Sequence, residues 1–308
     1  MPLPDSLQVL TTLRDFIRWG ASEFARRQLS FGHGFETALD EARYLALHAL
    51  ALPYDTPDAY LDTVLTLDER EQVAAQLQAR AETRRPAAYI TRESWFCGLR
   101  FYVDERVLVP RSPIAELISS HFEPWVDSSR VHRILDLCCG SACIGIAAKY
   151  HFMDADVCVS DVSAEALEVA AMNLAEHDLD GEIEVYHSDL FDSIPRQRFD
   201  VIVSNPPYVD AEDMAMLSDE YRCEPEIGLS AGEDGLALVD RILEQAVDYL
   251  EDEGAIFIEV GNSQAAMERK YHFLPMTWPE FELGGAGVCC IQAHDLRRQH
   301  AAITSIAS

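Results

Sequence analysis

Asn205-Pro206-Pro207-Tyr208 closes an apolar run, Phe199-Asp200-Val201-Ile202-Val203-Ser204, and its residue types suit a narrow chemistry. Neither proline can donate a backbone hydrogen bond, and both fix φ. The residue before each proline is pushed out of the helical region. The result is a stiff, extended turn offering carbonyl acceptors, one amide side chain and one flat ring. Such a turn can hold a planar NH2 group. Its two N–H donors go to the Asn205 side-chain oxygen and a proline carbonyl, and Tyr208 covers the plane. The plain alternative is a loop that only breaks a strand; the chemical reading is group transfer to a planar nitrogen.

Other residues at strand ends point to the donor of that group. Arg133-Ile134-Leu135-Asp136-Leu137 reads as a strand entering Cys138-Cys139-Gly140-Ser141-Ala142 and then a helix. Val157-Cys158-Val159-Ser160 is the next strand, ending at Asp161, and a strand over residues 182–186 leads to Asp189 and Leu190. In open α/β sheets, ligands bind beyond the carboxyl ends of the strands. Asp161 can therefore hydrogen-bond both hydroxyls of a ribose, while Asp189 reads an adenine edge and Leu190 packs on its face. A G-x-G-x-x-G fingerprint is absent, because Cys138 and Ala142 stand where further glycines are expected and Gly140 remains. That disfavours a pyrophosphate cofactor such as NAD. S-adenosylmethionine, with a ribose and adenine but no phosphate, fits better.

The elements that must position these residues follow from periodicity. From Ile114 onward helical and strand patterns alternate, which predicts an α/β domain with a largely parallel sheet. Residues 199–204 form its fourth strand, 255–260 the fifth, and 287–292 a late edge strand. The first ~80 residues read as helices. Leu7, Leu10, Leu13, Phe16, Ile17 and Phe24 recur at helical spacing, a second helix covers residues 37–50, and Thr66-Leu67-Asp68-Glu69 is a capping box for a third that Pro86 ends. His33 and His48 read as turn and packing residues. Between them and the α/β part, residues 88–113 read as a hairpin-like connector.

Composition sets limits. The 308 residues are 48% hydrophobic and 25% charged, as in an ordinary globular protein. The amino terminus lacks the basic start and apolar stretch of a signal peptide, and no apolar run approaches the ~20 residues that span a bilayer, so a cytoplasmic, non-membrane protein is expected. Eight cysteines match no zinc spacing and read as small buried hydrophobes, with no metal site. A net charge of −29 repels phosphate backbones and attracts a basic protein partner, so no direct nucleic-acid binding is expected.

Together these features resemble the HemK family, class I methyltransferases that modify glutamine side chains in proteins. The resemblance covers nearly the whole chain. It rests on Phe101-Tyr102-Val103-Asp104-Glu105-Arg106-Val107-Leu108-Val109-Pro110-Arg111, the 136–142 turn, residues 205–208, Glu224-Pro225, and Ala231-Gly232-Glu233-Asp234-Gly235-Leu236. The release-factor branch usually follows Pro-Arg with a proline and acidic residues. Here Ser112-Pro113-Ile114 follows, similar to the branch that methylates large-subunit ribosomal protein three. Cys138 and Glu259-Val260-Gly261-Asn262-Ser263 also look like that branch. Cys139 and Ala142 depart from the family's usual threonine and glycine.

The resemblance implies a Rossmann-like class I methyltransferase domain over residues 114–308, a helical substrate-recognition domain over 1–87, and the connector between them. It implies that Asp136, Cys138, Cys139, Gly140, Ser141, Ala142, Asp161, Asp189, Leu190 and Asn205 bind S-adenosylmethionine, the product being S-adenosylhomocysteine. Asn205, Pro206, Pro207 and Tyr208 would carry the catalytic work on a glutamine amide. The acceptor expected is basic large-subunit ribosomal protein three. Three alternatives stay open at this point: a release-factor glutamine, the amino group of adenine in nucleic acid, and an inactive module that binds a ribosomal protein.

Overall fold

The computed structural model of the protein describes residues 7–307, which divide into two compact units. One contains the described residues up to Glu93 together with Ser218–Cys223; the other contains Ser94–Leu217 and the residues from Glu224 onward.

The first unit is helical: α1 (Leu13–Arg26), α2 (Ala38–Ala49), α3 (Leu67–Thr83) and the short α4 (Ala87–Thr91). Thr12 with Asp15 and Thr66 with Glu69 form reciprocal capping boxes, so two orphan N–H donors are satisfied at each start. Because Thr12 sets the first helical turn, Leu7 and Leu10 precede α1 rather than extend it, although both are buried in the same core as Phe16, Phe24, Leu45 and Leu77. The expected end of α3 at Pro86 is also corrected. Arg84, at φ 59°, ends the helix by entering the left-handed region, and Pro86 heads α4 instead.

Arg80 is almost fully buried in this unit, its Nε 2.9 Å from Glu41 Oε1 and its Nη2 donating to the Ser30 carbonyl. The 218–223 segment adds Glu220, which pairs with Arg84 Nη2 at 2.9 Å and lies 3.7 Å from Arg80 Nη1. Tyr221 lies tilted against His33 with ring centroids 4.4 Å apart, and His48 Nδ1 is 3.2 Å from Gln76 Nε2, so both histidines do packing work.

The second unit opens with a two-stranded hairpin, β1 (Ser94–Phe96) and β2 (Leu99–Phe101), turning at Cys97 and Gly98. Then follow α5 (Ile114–Ser119), β3 (Arg133–Leu137), α6 (Cys143–His151), β4 (Asp156–Asp161), α7 (Ala164–Glu176), β5 (Ile183–His187), β6 (Phe199–Ser204), α8 (Ala211–Met216), α9 (Ala237–Ala246), β7 (Leu250–Glu259), α10 (Gln264–Lys270), β8 (Val288–Gln292) and α11 (Ala293–Ala307). The sheet order is β5-β4-β3-β6-β7-β8, parallel except for β8. β7 begins earlier than residue 255: Leu250 pairs with Phe199, and the register shifts before Ala255 reaches Val201.

Alternate residues of the central strands feed two cores, as a sheet covered on both faces requires. Ile134, Val157, Val201, Val203 and Phe257 pack with Ile118, Ile146 and Ala170. Leu135, Leu137, Ile202, Ile256 and Ile258 pack with Ile242, Leu243, Leu296 and Ile303. The strand order reverses at β3, between β4 and β6, and this places a crevice at their carboxyl ends.

Asn173 of α7 ties the hairpin's exit to that crevice. Fully buried, its Oδ1 accepts from the Tyr102 N–H at 2.7 Å, and its Nδ2 donates to the carbonyls of Tyr102 and Ser141. Replacing it leaves backbone polar groups without these partners, each costing roughly 1 kcal/mol or more. Asn173→Ala should therefore destabilise the protein by about 3 kcal/mol in denaturant unfolding. A change under about 1 kcal/mol would show that Asn173 does not hold the loop.

Candidate active site

Four parallel strands end on one edge of the sheet, and the register places their terminal residues side by side. Leu137 is level with Ser160 on one flank and Ser204 on the other, and Asp161 is level with His187. The 136–142 turn, Asp161, Leu190 and Asn205 are thus brought to one crevice.

Asp136 is fully buried and accepts from the Gly145 N–H through Oδ2 at 2.9 Å, anchoring the first turn of α6. Gly145 permits this approach, because a Cβ there would lie 2.3 Å from Val159 Cγ1. The turn between β3 and α6 is tightly wound, with positive φ at Cys138 (59°), Gly140 (53°) and Ala142 (62°). Left-handed backbone costs a non-glycine residue roughly 1–2 kcal/mol, so Cys138 and Ala142 hold strain that glycine would not. Asp161 secures the loop: Oδ2 accepts from the Gly140 N–H and Oδ1 from the Ser163 N–H, both at 2.9 Å. Cys139 and Ser141 are buried beneath it. A ribose would therefore meet an Asp161 carboxylate already fixed by backbone donors. Leu190 is buried, whereas Asp189 is exposed and pairs with Arg241 Nη1 at 3.0 Å.

Beyond β6, Pro206 and Pro207 are buried and Tyr208 is partly so. Tyr208 is held at three points. Its hydroxyl donates to Glu259 Oε1 at 3.1 Å, and its carbonyl accepts from Ser263 Oγ at 3.0 Å. Its ring lies on Gly261, where a Cβ would come within 2.5 Å of Cε2 and where φ is +45°. Alongside, Arg111 grips the buried Glu224 with two hydrogen bonds of 2.6 and 2.7 Å, and the Val109 N–H donates to the same carboxylate at 3.0 Å.

Two buried oxygens in this crevice, Asp136 Oδ1 and Asn205 Oδ1, have no hydrogen-bond partner among the described residues, and a Cβ at Gly140 would meet nothing within 4 Å. Buried polar atoms of this kind, at the mouth of an open loop, are available to a ligand or an ordered water that supplies the missing bond. Acidic strand ends and an open loop suit a molecule bearing hydroxyls, amino groups and positive charge, as S-adenosylmethionine does. Among the described residues no group of three or more His, Cys, Asp or Glu is placed to hold a metal ion. The eight cysteines are free, and burial raises the thiol pKa of Cys139 and Cys143.

The fold and crevice define a class I methyltransferase. A family model described as methyltransferase small domain matches residues 115–219. Two curated relatives are each named ribosomal protein uL3 glutamine methyltransferase. That of Francisella tularensis subsp. tularensis is 43% identical, covering 95% of this chain and 93% of its own length. That of Burkholderia pseudomallei is 45% identical, covering 92% and 95%. The chain belongs to the ribosomal protein uL3 glutamine methyltransferase family. The hMettl16 catalytic domain in complex with MAT2A 3'UTR hairpin 1 shares the fold at a TM-score of 0.52 and 16% identity, over 82% of this chain and 91% of that one.

Burial, opposed by the Gly145 N–H and reinforced by the charge of Asp161, lifts Asp136 to a pKa of about 8. An unfolded aspartate releases its proton near pH 4. Between these values the native state binds the extra proton, so this group's contribution favours folding below pH ~4 and is lost as pH rises to ~8. Asp136→Asn cannot ionise. Its Tm relative to wild type should rise steadily from pH 5 to pH 8 by differential scanning fluorimetry. A constant difference would mean that Asp136 is ionised throughout.

Proposed function

We propose that this chain transfers a methyl group from S-adenosylmethionine to the side-chain amide nitrogen of a glutamine in large-subunit ribosomal protein uL3. The observation that carries the chemistry is the buried, unpartnered Asn205 Oδ1 in a rigid Pro-Pro turn at the carboxyl end of β6. The acceptor is inferred from the relatives' names and from the charge of −29, which complements a basic protein.

S-adenosylmethionine, when bound, supplies an electrophilic methyl group. The residues of the chain address the other half of the problem, an amide nitrogen whose lone pair is delocalised into its carbonyl. That conjugation is large, as the ~18–20 kcal/mol barrier to peptide rotation shows. Asn205 Oδ1 and a proline carbonyl would accept the two N–H groups, and Tyr208 would cover the plane. Acceptors fixed in advance favour the pyramidal nitrogen of the transition state over the planar ground state. The nitrogen loses its proton after transfer, so no strong general base and no covalent enzyme intermediate are needed. Residues 136–142 with Asp161 would hold the methyl donor, and Asp189 with Leu190 its adenine. The helical unit would contribute to recognition of the acceptor protein, and the reaction would take place in the cytoplasm.

Methyl-labelled S-adenosylmethionine incubated separately with uL3, a class I release factor and duplex DNA tests this directly, with label located by mass spectrometry. Label should appear on a uL3 glutamine. Label on the release factor alone keeps the chemistry and overturns the substrate; label only on adenine overturns both. Asn205→Ala should lower kcat by more than about 100-fold, since preorganised donors or acceptors at a reacting group contribute on that scale. Activity on uL3 should also fall steeply with added salt, because the attraction between acidic enzyme and basic substrate is screened.

A further inference from the structure

Glu259, the last residue of β7, is only 5% exposed, yet among the described residues it has no ion-pair partner, and it lies outside the cofactor crevice's loop. Its two oxygens are divided between two hydroxyls. Oε1 accepts from Tyr208, and Oε2 accepts a short bond from Ser112 Oγ, which itself accepts the Ile114 N–H at 3.1 Å. Burying a carboxylate costs several kcal/mol unless its lone pairs are satisfied, and a phenol and a serine satisfy them less strongly than an arginine does. Glu259 is thus a demanding residue in a place where an apolar one would fill the space.

We propose that Glu259, itself oriented by Ser112, is a positioning residue that fixes the Tyr208 ring through the phenol hydroxyl. Gly261 lies against the ring near Cε2 and Cζ and Ser263 holds the backbone carbonyl, but neither bonds to the phenol hydroxyl. The Glu259 oxygen does. Burial and then the Glu259 charge raise the Tyr208 pKa, so the phenol stays protonated and able to donate. The proposal rests on the reading of Tyr208 as the wall over the target amide; a ring free to swing would hold that plane less of the time. Ser112 extends the same control to the connector, because it follows Arg111, whose own carboxylate partner is Glu224.

Two measurements test this. In protein labelled with 3-fluorotyrosine, the 19F resonance missing from Tyr208→Phe identifies Tyr208 among the chain's 11 tyrosines. That resonance should shift or broaden in Glu259→Leu and in Ser112→Ala, and less in Glu259→Gln, while the others stay put; a resonance unmoved in Glu259→Leu overturns the proposal. This comparison needs no acceptor, so it stands or fails separately from the labelling of uL3. In steady-state assays, Glu259→Leu should lower kcat roughly tenfold, the scale of one charge-assisted hydrogen bond, with KM for S-adenosylmethionine moved by less than about twofold. Glu259→Gln, which keeps an acceptor, should recover most of the loss. In a Tyr208→Phe background, Glu259→Leu should add less than about twofold. Losses that multiply across the cycle would show that Glu259 acts independently of the phenol.

Discussion

The catalytic unit is organised by carboxylates that have been taken out of water. An ionised carboxylate buried without partners is costly enough that the surroundings must either satisfy it or neutralise it. Asp136 is neutralised, with one oxygen held by the start of α6, whereas Asp161 is satisfied by amides of two loops, Glu224 by the Arg111 fork and Glu259 by two hydroxyls. Each solution immobilises a different segment. Together they fix the loop after β3, the loop after β4, the connector before α5, and the wall made by Tyr208.

The connector shows how economical this arrangement is. Arg111 and Ser112 are neighbours in sequence, yet they serve separate carboxylates. Val109 adds its backbone N–H to the first of these. One short, irregular stretch therefore braces two elements that lie far apart in the chain. Rigid acceptors around a reacting amide suit a reaction in which the enzyme must favour one shape of nitrogen over another.

Much of the crevice is legible in the sequence because it obeys local rules. The alternation of strands and helices locates the carboxyl ends, and the residues at those ends, Asp136, Asp161, Leu190 and Asn205, then fall together without knowledge of packing. The missing glycines at 138 and 142 are also visible, and the structure gives their physical meaning as positive φ. What the sequence hides is pairing across long separations. Asn173 reaches Tyr102, Glu224 reaches Arg111, and Glu259 reaches Ser112, and no periodicity connects any of these partners. Asp189 is a subtler case. Its strand-end position is readable, but its pairing with Arg241 depends on how α9 crosses the sheet. The helix boundary at Arg84 is hidden for a related reason, since a left-handed arginine carries no compositional signal and Pro86 offers an obvious but later stop.

The excursion of Ser218–Cys223 into the helical unit has a consequence for the order in which the protein is made. Amino-terminal domains commonly fold as they leave the ribosome, ahead of domains translated later. Here Arg80 finds Glu41 and the Ser30 carbonyl within that first stretch, but Glu220 and the ring that packs against His33 are translated only after β6 and the Asn205 turn. At ordinary elongation rates that is roughly ten seconds later. The nascent helical unit begins first and is completed only when the active-site turn already exists, so its finished core reports that the segment after that turn has been delivered.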